Sequence, residues 1–203
     1  MKKIAIALMC MILASGAAMA QPEKKFTFGP KIGVDYTHYW GKKVDHSGVV
    51  NYQAGVFFEY LVADRFAIAP EVVFAAQGGK YDEIKDIEGD NVKTTVTDNV
   101  NYINIPLMFK FYVVPSLSID FGPQLGINVY SKWSEDPKVS NPPSGSMKED
   151  TKSIDFGLGL GLTYNITDGV FVQGRYTMGM TKVFKNAGND KNGNAQIAIG
   201  YRF

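Results

Sequence analysis

The strongest constraint on the fold of this chain is a two-residue alternation between bulky apolar residues and small or polar ones. In the stretch 153–167 (SIDFGLGLGLTYNIT), Phe156, Leu158 and Leu160 alternate with glycines. A period of two residues belongs to the β-strand, whose successive side chains point to opposite faces. The stretch therefore predicts a strand with one apolar face and one nearly bare face.

Eight stretches of the sequence share this alternation, so eight β-strands are predicted. They lie at residues 28–36, 52–60, 66–75, 103–112, 117–129, 153–167, 170–178 and 197–203. After the first 20 residues, no apolar run approaches the ~20 residues that a transmembrane helix needs.

Every charged residue inside these strands lies on the face opposite the bulky apolar one. A lysine or arginine that faces hydrocarbon at the bilayer midplane costs about 2–4 kcal/mol, so a lipid-facing surface excludes charge. We therefore predict that the apolar faces touch lipid and that the charged faces line the lumen of a closed barrel. The predicted lumen charge network consists of Lys31, Asp35, Glu59, Glu71, Lys110, Asp120, Asp155, Arg175 and Arg202.

The links between the predicted strands alternate in length: VADR, VPS and TDG are short, and the others are long and polar. Outer-membrane barrels have short periplasmic turns and longer extracellular loops. The sequence thus predicts an all-β protein, an eight-stranded antiparallel up-and-down transmembrane β-barrel in the outer membrane of a Gram-negative bacterium. Both termini are expected to be periplasmic and the long loops extracellular. Trp40 and Trp133 are expected to anchor the barrel near the outer interface.

The start of the chain has the pattern of a secretory signal peptide, with two lysines, a short apolar run and small residues up to Ala20. We predict that residues 1–20 are removed and that residues 21–203 form the barrel domain. The single cysteine, Cys10, lies in the apolar run, and its lipidation is the alternative. A chain cleaved after Ala20 has no thiol ligand, and no cofactor, metal site or catalytic residue is predicted.

The bare face of the stretch 153–167 is expected to leave room for large side chains in the lumen. A barrel of eight strands encloses a space just wide enough for side chains to fill. Arg175 and Arg202, on the next two strands, need carboxylate partners because an unpaired buried charge is costly. The candidate partners are Glu71, Asp120 and Asp155. The alternative is that the glycines only allow the strand to coil strongly.

The last predicted strand ends in a pattern similar to the terminal signal that the barrel-assembly machinery reads. Its alternating bulky residues are Ile197, Ile199, Tyr201 and the C-terminal Phe203. The alternative is that these residues only form the closing strand.

Six segments spread over the chain carry recognisable strand and turn motifs. They are PEVVFAAQGGK (70–80), YINIPLMFKFY (102–112), DFGPQLG (120–126), DFGLGLGLTY (155–164), GRYTMGMTKV (174–183) and the ending IGYRF. Together they resemble the PorT-type outer-membrane β-barrel family, whose members are often labelled porin family. Small OmpX- and OmpA-type barrels share this architecture. The resemblance implies no catalytic residues and, through PorT itself, an association with a protein-secretion apparatus.

The function that these features favour is a non-catalytic outer-membrane barrel, plugged by charged side chains, in envelope structure, adhesion or protein secretion. Its expected partners are outer-membrane lipid and lipopolysaccharide, the barrel-assembly machinery and secretion-complex proteins. Nucleic acid is not an expected partner, because 21 Lys and Arg nearly balance 20 Asp and Glu.

Two other functions stay open at this point. The first is a small-solute porin. The second is an outer-leaflet lipid A-modifying enzyme, for which His38, His46 and Ser47 are the residues to consider because enzymes of this kind need an activated nucleophile. A soluble ligand-binding barrel would need an apolar lumen and a polar exterior, which is the reverse of this pattern.

Overall fold

A computed structural model of the chain describes residues 25–40, 46–87, 90–135, 144–146, 151–183 and 190–203. The predicted signal peptide, residues 1–20, and its Cys10 lie outside the described residues. Among those residues, no helix has the length and apolar character needed to cross a membrane.

Ten β-strands make up the described fold, and eight of them are long. The strands are β1 (Phe26–Trp40), β2 (His46–Ser47), β3 (Val49–Ala63), β4 (Phe66–Ile87), β5 (Asp90–Val114), β6 (Leu117–Glu135), β7 (Ser144–Ser146), β8 (Ile154–Asn165), β9 (Val170–Gly179) and β10 (Lys191–Tyr201).

The eight long strands form a closed antiparallel ring. Each long strand pairs with the next long strand in the chain, and β1 pairs with β10 to complete the circle. The short strands are additions at the rim: β2 pairs with β4, and β7 pairs with β6. The predicted fold class, an all-β barrel of eight antiparallel strands, is confirmed.

The ring has an apolar outer wall and a polar, charged interior. On the outer wall, Leu160 is 63% exposed and Ile197 is 66% exposed. Eight of the nine charged residues predicted for the lumen are between 0% and 5% exposed, and Asp155 is half-buried. This distribution is the reverse of a soluble barrel and suits a wall that faces lipid.

Three strands in the middle of the chain contain a proline, as β1 does at Pro30, although proline cannot donate a hydrogen bond to the ladder. Pro70, Pro106 and Pro123 lie within β4, β5 and β6. Beside Pro70 the pairing of β4 with β5 lapses over residues 71–72, and beside Pro106 the pairing of β5 with β6 lapses over residues 107–108. The register is unchanged across both gaps, so the prolines cause short lapses in the ladder rather than bulges.

Several strands are longer than the alternation indicated. Residues 81–99 were expected to form a long loop, but most of them continue β4 and β5 as a hairpin in which Ile87 pairs with Asp90. The loop prediction was wrong here because a strand outside a membrane needs no apolar outer face. The alternation therefore disappears while the ladder continues. In the same way, β10 begins at Lys191, six residues before the predicted start at Ile197.

A bulge in β6 near Val129 changes which side chains face the lumen. Beyond it, Tyr130 and Lys132 are exposed on the outer side, whereas Trp133 pairs with the buried Asp98. Trp133 therefore lies on the inner face and not at the outer interface, where it was expected. The extra residue of a bulge reverses the alternation.

The closing pair of strands comes into close contact at Gly29 of β1. A Cβ atom at this position would lie 1.7 Å from the carbonyl oxygen of Tyr201 in β10. At the preceding residue of β1, the carbonyl of Phe28 accepts a hydrogen bond from the Phe203 amide at 2.9 Å. A side chain at Gly29 would thus push the first and last strands apart.

We expect Gly29→Ala to lower the free energy of unfolding by about 1–3 kcal/mol, because an added methyl must displace backbone. Gly174→Ala is the matched control, since a Cβ atom at Gly174 has no neighbouring atom within 4 Å. Urea titration of the protein in lipid vesicles, followed by heat-modifiable gel mobility, measures both variants. Equal midpoints for the two variants would contradict the close contact.

Candidate functional site

The middle of the lumen is occupied by a set of buried polar side chains centred on one carboxylate, Glu71. Its two oxygens accept hydrogen bonds from Arg175, at 2.6 Å from Nη2 and 3.1 Å from Nη1. One of these oxygens also lies 2.6 Å from the ammonium of Lys31. A bidentate arginine–carboxylate pair is strong and has a defined geometry. Glu71 therefore holds together a lysine from β1 and an arginine from β9.

The polar contacts continue from Lys31 to the opposite wall. The Lys31 ammonium donates to Gln173 at 2.9 Å, and the Gln173 amide donates to Asp120 at 3.2 Å. Asp120 also accepts hydrogen bonds from the hydroxyls of Ser118 and Thr163. We call Glu71, Lys31, Arg175, Gln173 and Asp120 the central cluster.

A second group lies nearer the barrel end that carries the termini. Glu59 accepts from Lys110 at 3.0 Å and from Arg202 at 3.3 Å, and the Tyr112 hydroxyl also donates to it. The Arg202 guanidinium donates as well to the side-chain oxygen of Asn165 at 3.0 Å. These five residues are the terminal cluster.

Aromatic rings pack against the cations of the terminal cluster. The rings of Phe57 and Phe171 meet edge to face, 5.0 Å apart. The guanidinium carbon of Arg202 lies 5.1 Å from the centre of the Phe171 ring, and the Lys110 ammonium lies 5.8 Å from it. Cation–π attraction of this kind strengthens when water is excluded, so the rings help to keep the charges inside.

The sequence prediction did not assign Phe171 to the lumen. Its position in the alternation carries the signal, because Phe171 has the same parity as Gln173 and Arg175. A bulky apolar residue on the polar face departs from the two-face rule, which is why the rule alone missed it.

The bare face of β8 is where Arg175 crosses the lumen. A Cβ atom at Gly159 would lie 3.5 Å from Cδ of Arg175. A Cβ atom at Gly161 would lie 2.6 Å from the carbonyl oxygen of Gly174. At Gly159 a Cβ atom would make an ordinary contact, whereas at Gly161 it would come too close to the neighbouring strand and would also lie 3.1 Å from Cβ of Arg175. Gly161 therefore supports the expectation that the bare face leaves room for the arginine and its strand.

The carboxylates pair differently from the sequence expectation in two places. Glu71, one of the three candidate partners, pairs with Arg175, but Arg202 pairs with Glu59, which was not a candidate. Among the described residues, Asp120 and Asp155 form no ion pair within 4 Å. Asp155 instead accepts hydrogen bonds from Thr181 and, at 2.8 Å, from Asn192. The strand register, rather than residue type, selects the partners.

Asp35 lies on β1 beyond the central cluster, where it pairs with Gln196 of β10 and is 1% exposed. The remaining predicted set, Ile197, Ile199, Tyr201 and Phe203, lies on the outer wall of the closing strand and its end, between 47% and 66% exposed.

Of the two histidines considered for catalysis, His38 has a described side chain, and it contacts two tyrosines. The His38 ring packs between Tyr36 and Tyr176, and its Nε2 lies 3.4 Å from the Tyr176 hydroxyl. His46 and Ser47 form β2, and the side chain of His46 lies outside the described residues. No group of three or more potential metal ligands of the His, Cys, Asp and Glu types occurs among the residues that the structure describes.

A family model for the outer membrane protein beta-barrel domain matches residues 19–185. The chain belongs to this family. No curated protein sequence matches it.

Solved structures of small outer-membrane barrels share the fold. Ail, the attachment invasion locus protein of Yersinia pestis, has a TM-score of 0.53 and 12% sequence identity, over 89% of this chain and all of that one. Neisserial surface protein A has a TM-score of 0.52 and 13% identity, over 89% of this chain and 98% of the other. At such low identity the likeness concerns the fold alone.

We expect Glu71→Gln to lower the free energy of unfolding by about 3–5 kcal/mol, because it leaves Lys31 and Arg175 buried without a carboxylate. Asp155→Asn makes the same chemical change at a half-buried carboxylate without an ion pair among the described residues, and we expect a much smaller loss. Urea unfolding in lipid vesicles measures both. Similar losses in the two variants would show that Glu71 does not hold the central cluster together.

Proposed function

We propose that this protein is a non-catalytic barrel of the outer membrane whose own side chains close the lumen. Its role is in envelope structure, adhesion or protein secretion. The observation that carries the proposal is the central cluster, a chain of ion pairs and hydrogen bonds that runs from β4 through β1 and β9 to β6. A solute could pass only by breaking these contacts.

The size of the ring supports a closed lumen. Eight strands enclose a space that side chains can fill, whereas water-filled porins have 16–18 strands. Besides the charged clusters, the large side chains of Tyr102 and Met108 are each 1% exposed within this space. A small-solute porin is therefore the less favoured function.

The proposed orientation follows from the lengths of the connections. The turns at residues 64–65, 115–116 and 166–169 lie at the same end of the ring as the start of β1 and the end of β10. The longer hairpin of β4 and β5 lies at the other end. Because outer-membrane barrels have short periplasmic turns, both termini are periplasmic and the hairpin is extracellular.

We expect the purified protein to show no stable conductance steps of porin size in planar bilayers, because the central cluster blocks the lumen. A 16-stranded porin in the same bilayers is the positive control. Steps of comparable size from this protein would overturn the closed lumen and favour solute transport.

The extracellular part of the β4–β5 hairpin is the proposed contact surface. Residues 82–87 of β4 and 90–95 of β5 pair only with each other among the described residues, beyond the ends of β2 and β6. The segment 81–91 contains five acidic residues and one lysine. Such a negatively charged extension suits binding of a basic partner, and the PorT resemblance suggests a secretion complex as the setting.

We expect a tagged form of the protein, purified from mildly solubilised outer membrane, to retain envelope proteins. Replacement of residues 82–95 by Asn-Gly should remove them while the barrel stays folded, since this dipeptide favours a tight hairpin turn. Mass spectrometry of the two preparations, with heat-modifiable mobility as the folding control, tests this. Equal recovery from both preparations would exclude the hairpin, and no recovery from the full chain would indicate a stand-alone barrel.

A further inference from the structure

The outer wall carries a fixed group of aromatic rings and one cation near the end of the barrel that is opposite the termini. The group, called here the aromatic ledge, consists of Tyr36, His38 and Trp40 on β1, Tyr176 on β9 and Lys191 on β10. Tyrosine and tryptophan concentrate where a membrane meets water, because one part of each ring system is apolar and another is polar.

Lys191 and Trp40 form the upper part of the ledge. The Lys191 ammonium lies 4.8 Å from the centre of the Trp40 ring, and the Trp40 ring nitrogen donates to the carbonyl of Asn192 at 3.0 Å. The hydrogen bond holds the indole against β10, so the cation has a defined position on the wall instead of extending freely into water.

His38 and Tyr176 form the lower part of the ledge, over Gly193. The His38 ring centre lies 6.0 Å from that of Tyr36 and 6.2 Å from that of Tyr176. A Cβ atom at Gly193 would lie 2.6 Å from the His38 ring and 3.1 Å from the Tyr176 hydroxyl oxygen. The absence of a side chain at Gly193 lets both rings lie flat on the wall.

An apolar groove on β1, β9, β10 and the neighbouring β3 begins below the ledge. It has a volume of about 480 Å³, and its walls include Val34, Ala54, Val172 and Ile197. A second groove of about 270 Å³ continues toward the termini, and the two share Ile32 and Ile199. The outward residues of β10 join groove to ledge in one column, Ile199, Ile197, Ala195, Gly193 and Lys191.

We propose that the ledge and the groove together bind one phospholipid of net negative charge. An acyl chain occupies the groove, whose lining side chains on the wall are apolar. The lipid phosphate lies against the ammonium of Lys191, because a lysine attracts phosphate as a point charge. Lys191 lies at the end of an apolar groove on the membrane-facing wall. Its positive charge favours an anionic lipid over a neutral one.

The leaflet in which this lipid lies rests on the proposed function, since it follows from the proposed orientation. With periplasmic termini, the ledge lies in the outer leaflet. The binding chemistry itself does not depend on orientation. Vesicles with the same lipids in both leaflets therefore test the site separately from the orientation and from the closed lumen.

Trp40 provides the probe for the experiment. The chain has two tryptophans, so a Trp133→Phe variant leaves Trp40 as the single fluorescent indole. This variant is reconstituted in phosphatidylcholine vesicles that contain a minor fraction of one brominated lipid. Bromine on the acyl chain quenches a nearby indole. We expect brominated phosphatidylglycerol to associate about fivefold more strongly than brominated phosphatidylcholine, the ratio that corresponds to one lysine at an anionic surface.

Two pairs of variants separate the charge from the groove. Lys191→Gln should reduce the lipid preference to near one, whereas Lys132→Gln, at another outward lysine without the ledge, should retain it. Ala54→Leu should fill the groove and weaken the association of the anionic lipid. Ile105→Phe adds bulk to the outer wall on β5, across the ring from this groove, and should not. Heat-modifiable mobility checks that each variant is folded.

Three results would overturn the proposal. The first is equal quenching of Trp40 by the two lipids. The second is an equal effect of Lys132→Gln and Lys191→Gln, which would indicate general surface charge. The third is loss of the preference in inorganic phosphate but not in sodium chloride of the same ionic strength, which would indicate a site for free phosphate.

Discussion

The structure depends on the cost of placing charges and unpaired backbone groups in hydrocarbon. Strands that cross a bilayer must satisfy their backbone hydrogen bonds among themselves, so the sheet closes through the pairing of β1 with β10. Within the membrane, charged side chains can then lie only in the lumen. There Glu71 and Glu59 each bind two cationic side chains. The apolar wall and the filled lumen are two results of the same constraint.

A filled lumen leaves recognition to the outside of the molecule. The wall offers the groove and the aromatic ledge, both built from residues whose side chains alternate with those of the lumen on the same strands. Beyond the ledge, β4 and β5 continue as a hairpin outside the ring. Two kinds of contact, with lipid along the wall and with other molecules at the hairpin, can therefore occur without any change inside the barrel.

The division between wall and lumen was predictable from sequence because lipid contact imposes a strict rule on every second residue. The rule correctly places Leu158 and Ile199 on the wall. It also correctly places Lys110 and Arg175 inside the lumen. The rule says nothing about which residues meet across the lumen. That depends on how far the strands are staggered, which is why Arg202 was not matched with Glu59.

Predictions failed where the membrane no longer acts on the sequence. The sequence of the hairpin beyond Lys80 lacks the regular apolar alternation, so its strands had the composition of a loop. At Val129 a bulge reverses the alternation, and Trp133 changes sides although its neighbours in the sequence suggested an anchor. Backbone features such as bulges and lapses beside prolines are set by pairing between strands, and a single strand's sequence does not contain that information.

The ion pairs across the lumen have a consequence for the order of biogenesis. Glu71 and Arg175 are 104 residues apart in the chain, and Glu59 and Arg202 are 143 residues apart. In a curved sheet made of the first strands alone, Glu71 and Glu59 each have only one of their two cations, Lys31 and Lys110 respectively. Water can leave the interior only when the last two strands arrive. Dehydration of the lumen and closure of the barrel therefore occur in one cooperative step.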